Sequence, residues 1–459
     1  MELKRRISGV ELMVGKKIAF LRKQKGLRQE ELAQMLEVSP QAVSKWENGH
    51  TYPDITLLIP LARILGVSVD ELLAGKQPSE EIPDIESSRE VKLSICAIVK
   101  NEEKRIRSFM DSLLPFADEI IIVDNGSTDA TREIITEFMN GPVDVVLVHS
   151  DEKFDLARNK YLEKATGDWI LNLDTDERLE AAFAGHLKDF LANEPVDVQG
   201  VILPCFNYYG GGGWTQWNLP RLIRNAQKKQ MNDAIHASYA DAALKDGGRL
   251  DFVYAPFHHF DAIWNKDQSK KRQRNIPLIE ETMKKNPAKS GIYKNLANEY
   301  FAMGQYEKGI EILQQGIKLD KSSNSRLYKG LANYYYHVGK YEEALEAAQK
   351  QIDLFLPLIK AKDGRSMRYT LEVEACRTIL YKTWYAMGKK AKAMDICNKN
   401  IRDYPMLPHN YLNRYIMEDK KNFHDYEMAA MLNPMMNNKE IYCEKGVGDL
   451  YSFAGLTML

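Results

Sequence analysis

The stretch Trp169–Leu179, WILNLDTDERL, decides how the rest of the chain is read. Four residues of strand-like apolar pattern run into Asp174, Thr175, Asp176 and Glu177. Three carboxylates gathered at the end of a buried strand repel one another unless a cation or a strong donor set balances them. Asp174 and Asp176, one residue apart, form a compact pair of hard oxygen donors suited to Mn2+ or Mg2+. A metal held there would bridge a diphosphate and neutralise charge developing on a leaving group. An Asp-x-Asp triplet is common in surface turns, so its weight comes from its surroundings.

Those surroundings are an α/β pattern. Residues 92–138, KLSICAIVKNEEKRIRSFMDSLLPFADEIIIVDNGSTDATREIITEF, read strand, turn, helix, strand, turn, helix. The turn after the first strand carries Lys100, Asn101 and Glu102, and the next carries Asp124, Asn125, Ser127 and Asp129. In a parallel sheet such strand ends form the ligand crevice. No GxGxxG follows the first strand, so a Rossmann dinucleotide cradle is excluded. Acids and Asn at these turns can instead accept hydrogen bonds from a ribose or a base.

With 459 residues the chain calls for several domains, and its net charge of −1 says nothing about partners. Five scattered cysteines (Cys96, Cys205, Cys376, Cys397, Cys443) show no zinc spacing and fit reduced thiols. A charged N-terminus without a following apolar run, and no apolar stretch long enough to span a bilayer, lead us to expect a cytoplasmic protein with no membrane partner. The expected organisation is residues 1–75, a helical DNA-binding block; 76–90, a Pro-containing acidic linker; 91–265, the α/β domain; and 266–459, helical repeats.

In the first block, GLRQEELAQMLEVSPQAVSKWENG divides into a helix from Gln29 to Leu36, a turn, and a second helix opening at Ser39 and Pro40. Leu32, Ala33, Leu36, Val43 and Trp46 can bury together, leaving Gln41, Ser44 and Lys45 outward, as a helix reading base edges requires. Residues 1–28 carry nine Lys/Arg against two Glu, fit for tracking a phosphate backbone. Residues 12–74 resemble the XRE (Cro/repressor-like) helix-turn-helix family, down to SKWENG. The resemblance implies duplex DNA as partner, phosphate contacts from Gln29 and Asn48, base contacts from Gln41 and Lys45, and an Arg22–Glu47 pair.

Residues 92–260 resemble glycosyltransferase family two with its GT-A fold, through AIVKNEE, IIIVDNGSTDAT, FDLARNKYLEKATGDWILNLDTDE and PRLIRN…IH. That resemblance implies inverting transfer from a nucleotide-sugar donor, typically a UDP-sugar, with a divalent metal. It implies that Val99, Glu102 and Asp124 hold uracil and ribose, with Arg158 near the nucleotide. Asp174 and Asp176 would address the metal–diphosphate, and His236 would be a further ligand. Ala237 stands where members commonly carry Glu, so the catalytic base is left unassigned, with His236 the one candidate. Each residue also has a plainer reading. Asp124 can cap the next helix, Arg158 can pair with Asp155, and His258 and His259 in APFHHF can pack a terminal strand, with His258 retained as a secondary candidate.

FNYYGGGGWTQWNLP, residues 206–220, places four glycines among aromatics. One reading is a mobile loop in which Trp214 and Trp217 cover the sugar or form an acceptor platform; the other is a surface loop with both tryptophans tucked into the core. Further on, NLANEYFAMGQYEKGIEILQQGIKL and GLANYYYHVGKYEEALEAAQKQIDL align Gly304 with Gly339, a period of 35, and a third copy centres on Gly388. The pattern resembles tetratricopeptide repeats, which implies a concave surface for an extended peptide or protein acceptor. The architecture is similar to that of glycocin peptide S-glycosyltransferases, apart from the DNA-binding head. The rival readings are a transcription regulator using the transferase fold as a nucleotide-sugar sensor, and a repeat scaffold with two passenger domains.

Overall fold

The computed structural model describes residues 91–151, 157–181, 187–210, 213–225, 239–244, 247–264, 269–287, 290–319, 326–361, 364–437 and 456–457. Within the first 90 residues it describes 15, 17–23, 25, 27–36, 38–48, 53, 57, 61, 64 and 65. The chain forms two compact units, Met1–Ser88 and Arg89–Leu459.

In the first unit, helix Gln29–Met35 is followed by a turn and helix Pro40–Glu47. Ser39 caps the second helix by accepting the Ala42 N–H at 3.2 Å, and Pro40 occupies its first turn. Leu32, Ala33, Leu36, Val43 and Trp46 are buried together with Ile18, Leu21, Leu61 and Leu65. Arg22 meets Glu47 through both ends of its guanidinium, at 2.6 and 3.0 Å, and donates to the Leu27 carbonyl. Both charges are almost fully buried and hydrogen-bonded, so losing either would strand the other in the core.

The second unit is built on a ten-stranded mixed sheet. Strands β1 (Leu93–Val99), β2 (Glu119–Asp124), β3 (Asp144–His149) and β4 (Trp169–Asn172) are parallel, in the order β3-β2-β1-β4. β1 and β2 are buried along their whole lengths, as expected of parallel strands covered on both faces. Helix Ile106–Leu113 covers one face with Ile106, Phe109, Met110 and Leu113, one stripe of the helix. At the opposite strand ends the buried Glu119 accepts from Ser94 (2.5 Å) and from the backbone and hydroxyl of Thr166.

The sheet then turns antiparallel. β7 (Gly213–Arg224) lies between β4 and β6 (Val198–Gly210), and β9 (Phe257–His259) continues to β5 (Glu177–Leu179). β8 (Arg249–Phe252) runs beside β6, and β10 (Leu456–Thr457) pairs with β7. In place of either loop read from the sequence, the glycine-rich segment belongs to a hairpin, with Gly210 paired to Gly213 across a register shift. The ladder continues into the glycines, because a backbone without Cβ tolerates the shift.

After helix Ser269–Lys285 come four helical hairpins: Ser290–Ala302 with Tyr306–Leu319, Leu327–His337 with Tyr341–Ala361, Ser366–Ala386 with Lys390–Asp403, and Pro408–Met417 with Phe423–Leu432. Gly304, Gly339 and Gly388 close the first helix of the first three hairpins with φ of 74, 75 and 74°. The fourth closes in the same manner on Asp419 (φ 57°) and Lys420 (φ 60°). Its hydrogen bonds, Asp419 N to Ile416 O and Lys420 N to Tyr415 O, repeat those of Gly388 and Lys389. Without glycine at its turn the fourth hairpin carries no repeat signature. Phe206, Tyr208 and Trp214 of the β6–β7 hairpin share one core with Tyr381, Tyr411 and Leu412.

A Cβ at Gly339 would touch nothing within 4 Å, so Gly339→Ala tests the backbone alone. We expect it to cost about 1–2 kcal/mol, the penalty of an L residue in the left-handed region. Asp419→Gly should be neutral or slightly stabilising. Urea denaturation of both variants is the measurement; equal stability of Gly339→Ala and the parent would show that the turn relaxes.

Candidate active site

Three loops meet at the C-terminal edge of the parallel strands. Val99 and Asp124 are register partners at the ends of β1 and β2. Asn101, held at φ 55°, accepts the Thr128 N–H at 2.8 Å and gives its own N–H to Ser127. Glu102 gives its N–H to Thr131 Oγ1 at 2.7 Å. Asp124 is buried and accepts the Ser127 N–H at 3.1 Å, with Arg132 and His149 each 3.7 Å away. The helix that follows, Thr131–Phe138, has its first N–H and the Thr131 hydroxyl bonded to Asp129 and not to Asp124. Arg158 stands in the first turn of helix Ala157–Lys164.

The carboxylates of the opening stretch are divided between two cations. Arg221 lies within hydrogen-bonding distance of Glu177, and its second contact is Asp174 at 3.3 Å, with Asn172 at 3.0 Å. It reaches them because β7 is irregular there: Val201 pairs with Leu222 and Ile202 with Pro220, which leaves Arg221 as the extra residue of a bulge. Pro220, which offers no N–H, is at home beside such a break in the ladder. Burial pushes the Glu177 carboxyl up to about 7 against the pull of Arg221, and Asp174 and Asp176 push the same way.

Asp176 faces a different set. His259 Nε2 is 3.6 Å from Asp176 Oδ2, and Asp176, His259 and Asp261 bring one ligand atom each within 4.8 Å of one another. His259 Nδ1 donates to Asn207 at 2.5 Å, which turns Nε2 toward the carboxylates, the orientation that metal-binding imidazoles need. Burial works against a charge on His259, and Asp176 outweighs it, so the ring is pushed up to about 9. Two carboxylates and an imidazole make a donor set suited to Mn2+ and related divalent ions. Burial lifts the Glu102 carboxyl, Arg105 opposes it and Asp176 adds to it, so the first loop and this cluster border one space.

Against the expected residues, Val99, Glu102, Asp124, Asp174 and Asp176 come to one edge of the sheet. His236 and Ala237 lie outside the described residues. Of the adjacent histidines it is His259 that faces the carboxylates. His258 is buried between Tyr208 (2.8 Å) and Glu180 (2.9 Å), because neighbours on a strand point to opposite faces and Glu177 is the register partner of His259. Trp214 is 1% exposed and packs edge-on against Phe206, so it is core rather than an acceptor platform. Trp217 stays at the site, its ring centred 6.4 Å from that of His259. Trp264, absent from the sequence reading, is 40% exposed beside Asp261, stacked on Phe260 and flanked by Arg105 and Arg178.

Residues 94–245 match the model of Glycosyl transferase family 2, and residues 18–72 match Helix-turn-helix. The chain thus carries a family 2 glycosyltransferase domain, preceded by an XRE-type helix-turn-helix domain and followed by tetratricopeptide-like repeats. Among curated proteins, the SPbeta prophage-derived glycosyltransferase SunS of Bacillus subtilis (strain 168) is 27% identical over 286 residues, 60% of this chain and 64% of that protein. The chain therefore spans less than two thirds of the length of that relative. A TPR repeat-containing protein of Synechococcus elongatus is 40% identical over 154 residues, 33% of this chain and 36% of that one. The HTH-type transcriptional activator BcrR of Enterococcus faecalis is 44% identical over 61 residues, 13% of this chain and 30% of that one.

Arg221→Met would leave Glu177 buried without its partner, at an expected cost of about 3–5 kcal/mol. Adding Glu177→Gln should restore most of it. Urea denaturation of the single and double variants measures this, and an equally unstable double variant would assign the loss to packing.

Proposed function

We propose that the chain transfers a sugar from a nucleotide-sugar donor, a UDP-sugar by preference, to a peptide or protein acceptor. The observation that carries this reading is the meeting of Glu102, Asp176 and His259 at one sheet edge, the first two on the loops after β1 and β4 and the third at the end of β9. In this reading Val99, Glu102 and Asp124 hold base and ribose, and Arg158 approaches the nucleotide. Asp176, His259 and Asp261 would hold Mn2+ or Mg2+, with Asp174 beside them. A divalent ion held there would supply positive charge to a diphosphate leaving group. Asn207 keeps the His259 ring turned to the site, and Arg221 holds Asp174 and Glu177 in place before donor arrives. Trp217 and Trp264 offer ring faces to the sugar or acceptor. The repeats present the acceptor.

Residues 1–75 are proposed to bind duplex DNA. Gln41 and Lys45 are exposed and Ser44 half-buried on helix Pro40–Glu47, away from the buried Val43 and Trp46. Gln29 donates to Glu47 and Asn48 to the Ser44 carbonyl, which fixes two side chains assigned to phosphates.

With a panel of UDP-sugars and Mn2+, Asp176→Asn should reduce nucleotide release about 100-fold or more while circular dichroism stays unchanged. Turnover equal to the parent's would reject the assignment of Asp176. In a salt-titrated mobility-shift series, Gln41→Ala should narrow the difference between preferred and random duplex by about tenfold or more. Gln29→Ala should weaken binding to all sequences alike. Lack of any salt-sensitive binding would make this unit a protein-interaction module.

A further inference from the structure

Neighbouring side chains of β6 and β7 point to opposite faces of the sheet. On one face Phe206, Tyr208 and Trp214 enter the core of the last hairpins, and the polar groups of the strands are paired there. Gln216 bonds Asn218 at 3.2 Å and His409 at 3.1 Å, and the Tyr208 hydroxyl bonds His258 and Asn433. The other face carries Cys205, Asn207, Thr215 and Trp217. Asn207 is the register partner of both Thr215 and His259, and Cys205 that of both Trp217 and Phe257.

On this second face the pairing fails. Asn207 Nδ2, Thr215 Oγ1 and Trp217 Nε1 are buried, and none of the three has a hydrogen-bond partner among the described residues. The Asn207 amide is fixed by its other end: Oδ1 accepts from His259 Nδ1 at 2.5 Å, which leaves Nδ2 over. Buried polar atoms without partners are costly. Three of them at neighbouring register positions, next to the ring that faces Asp176 and Asp261, call for a ligand to complete them. Asn207 and Thr215 are fully buried and Trp217 is half-buried, so a ligand reaches the first two only as the indole gives way.

The chemistry of the three atoms selects the group they take. Asn207 Nδ2 and Trp217 Nε1 can only donate, whereas the Thr215 hydroxyl donates or accepts. Two donors and one acceptor match a secondary amide, whose oxygen takes both N–H groups and whose own N–H goes to Thr215. A single sugar hydroxyl fits less well. It bonds partners about 3 Å away, whereas side chains two residues apart on a strand, as Thr215 and Trp217 are, stand ~6.6–6.8 Å apart. An amide, with donor and acceptor on different atoms, covers more of that spread. We propose that Asn207, Thr215 and Trp217 form a subsite for the 2-acetamido group of an N-acetylhexosamine donor, with its methyl beside the buried Cys205 and Phe257. The assignment rests on the reading of the chain as a transferase and names the class of sugar it takes. Because Asn207 is bonded to His259, the subsite adjoins the carboxylates assigned to the diphosphate.

The test is calorimetric titration of the full-length chain, in Mn2+ and without acceptor, with UDP and two matched pairs: UDP-glucose with UDP-N-acetylglucosamine, and UDP-galactose with UDP-N-acetylgalactosamine. Within each pair the sugars differ only at C2. The N-acetyl sugar is expected to bind about tenfold or more tighter than its parent, alike in both pairs. Trp217→Phe keeps a ring and loses the N–H, and Thr215→Val keeps the branching and loses the hydroxyl. Each should shrink the ratio of the two affinities about fivefold. Misfolding lowers both members of a pair together and leaves their ratio where it was. Equal binding within each pair, or a ratio that neither variant alters, overturns the proposal. The backbone of a peptide acceptor offers the same amide, and its absence from the titration keeps the readout on the sugar, so equal binding of the donors also takes the amide away from them. If UDP itself does not bind, the transferase reading falls and this inference with it; UDP bound without an N-acetyl preference overturns this inference alone.

Discussion

The arrangement of Asp174 and Glu177 around Arg221 is the interaction on which the transferase edge depends. A fully buried Glu177 beside two further carboxylates would be too costly to ionise without a cation in contact. Arg221 supplies that cation, and it does so only because β7 bulges at this residue. The repulsion posed by the opening stretch is therefore met in two ways. Asp174 and Glu177 are neutralised by Arg221 from within the fold, while Asp176 and Asp261 face His259. The two cationic side chains thus serve separate carboxylates.

Much of the fold was legible because its signals are local. The continuous apolar runs of β1 and β2 announce buried parallel strands, and the glycines at 304, 339 and 388 announce helical hairpins. Ser39 and Pro40 mark the start of the second N-terminal helix. What escaped the reading was set by distant pairing. Strand β9 is three residues long, and only its register with β5 tells His259 from His258. Arg221 sits within a quoted motif, PRLIRN, yet its role follows from a bulge that the sequence does not spell out, with Pro220 as the available hint. The fourth hairpin was invisible because Asp419 does a glycine's work there.

Helix Ser366–Ala386 ties the second unit together. Thirteen of its residues are buried, including Glu372, Glu374 and Lys382, so it has no solvent stripe of the ordinary kind. Its apolar residues enter the core of the first hairpins through Val373 and Ile379, the core on the sheet face opposite helix Ile106–Leu113 through Leu371, and the core shared with the β6–β7 hairpin through Tyr381. Between these contacts Glu374 collects His409, Asn400, Asn410 and Thr378 in a fully buried polar network. Such a network holds only in one arrangement, and its link to Gln216 ties the repeats to the strand that carries Trp217 and Arg221.

That division of cores bears on how such a chain can diversify. The last two hairpins share side chains with Phe206, Tyr208 and Trp214, so recombination that replaced them would have to replace the transferase hairpin as well. The first two hairpins pack among themselves, against helix Ser269–Lys285 and against one face of helix Ser366–Ala386. They are the segment that gene conversion or repeat duplication can exchange while leaving the chemistry intact. New recognition surfaces should therefore arise in lineages from residues 290–361, with the remainder inherited as a block.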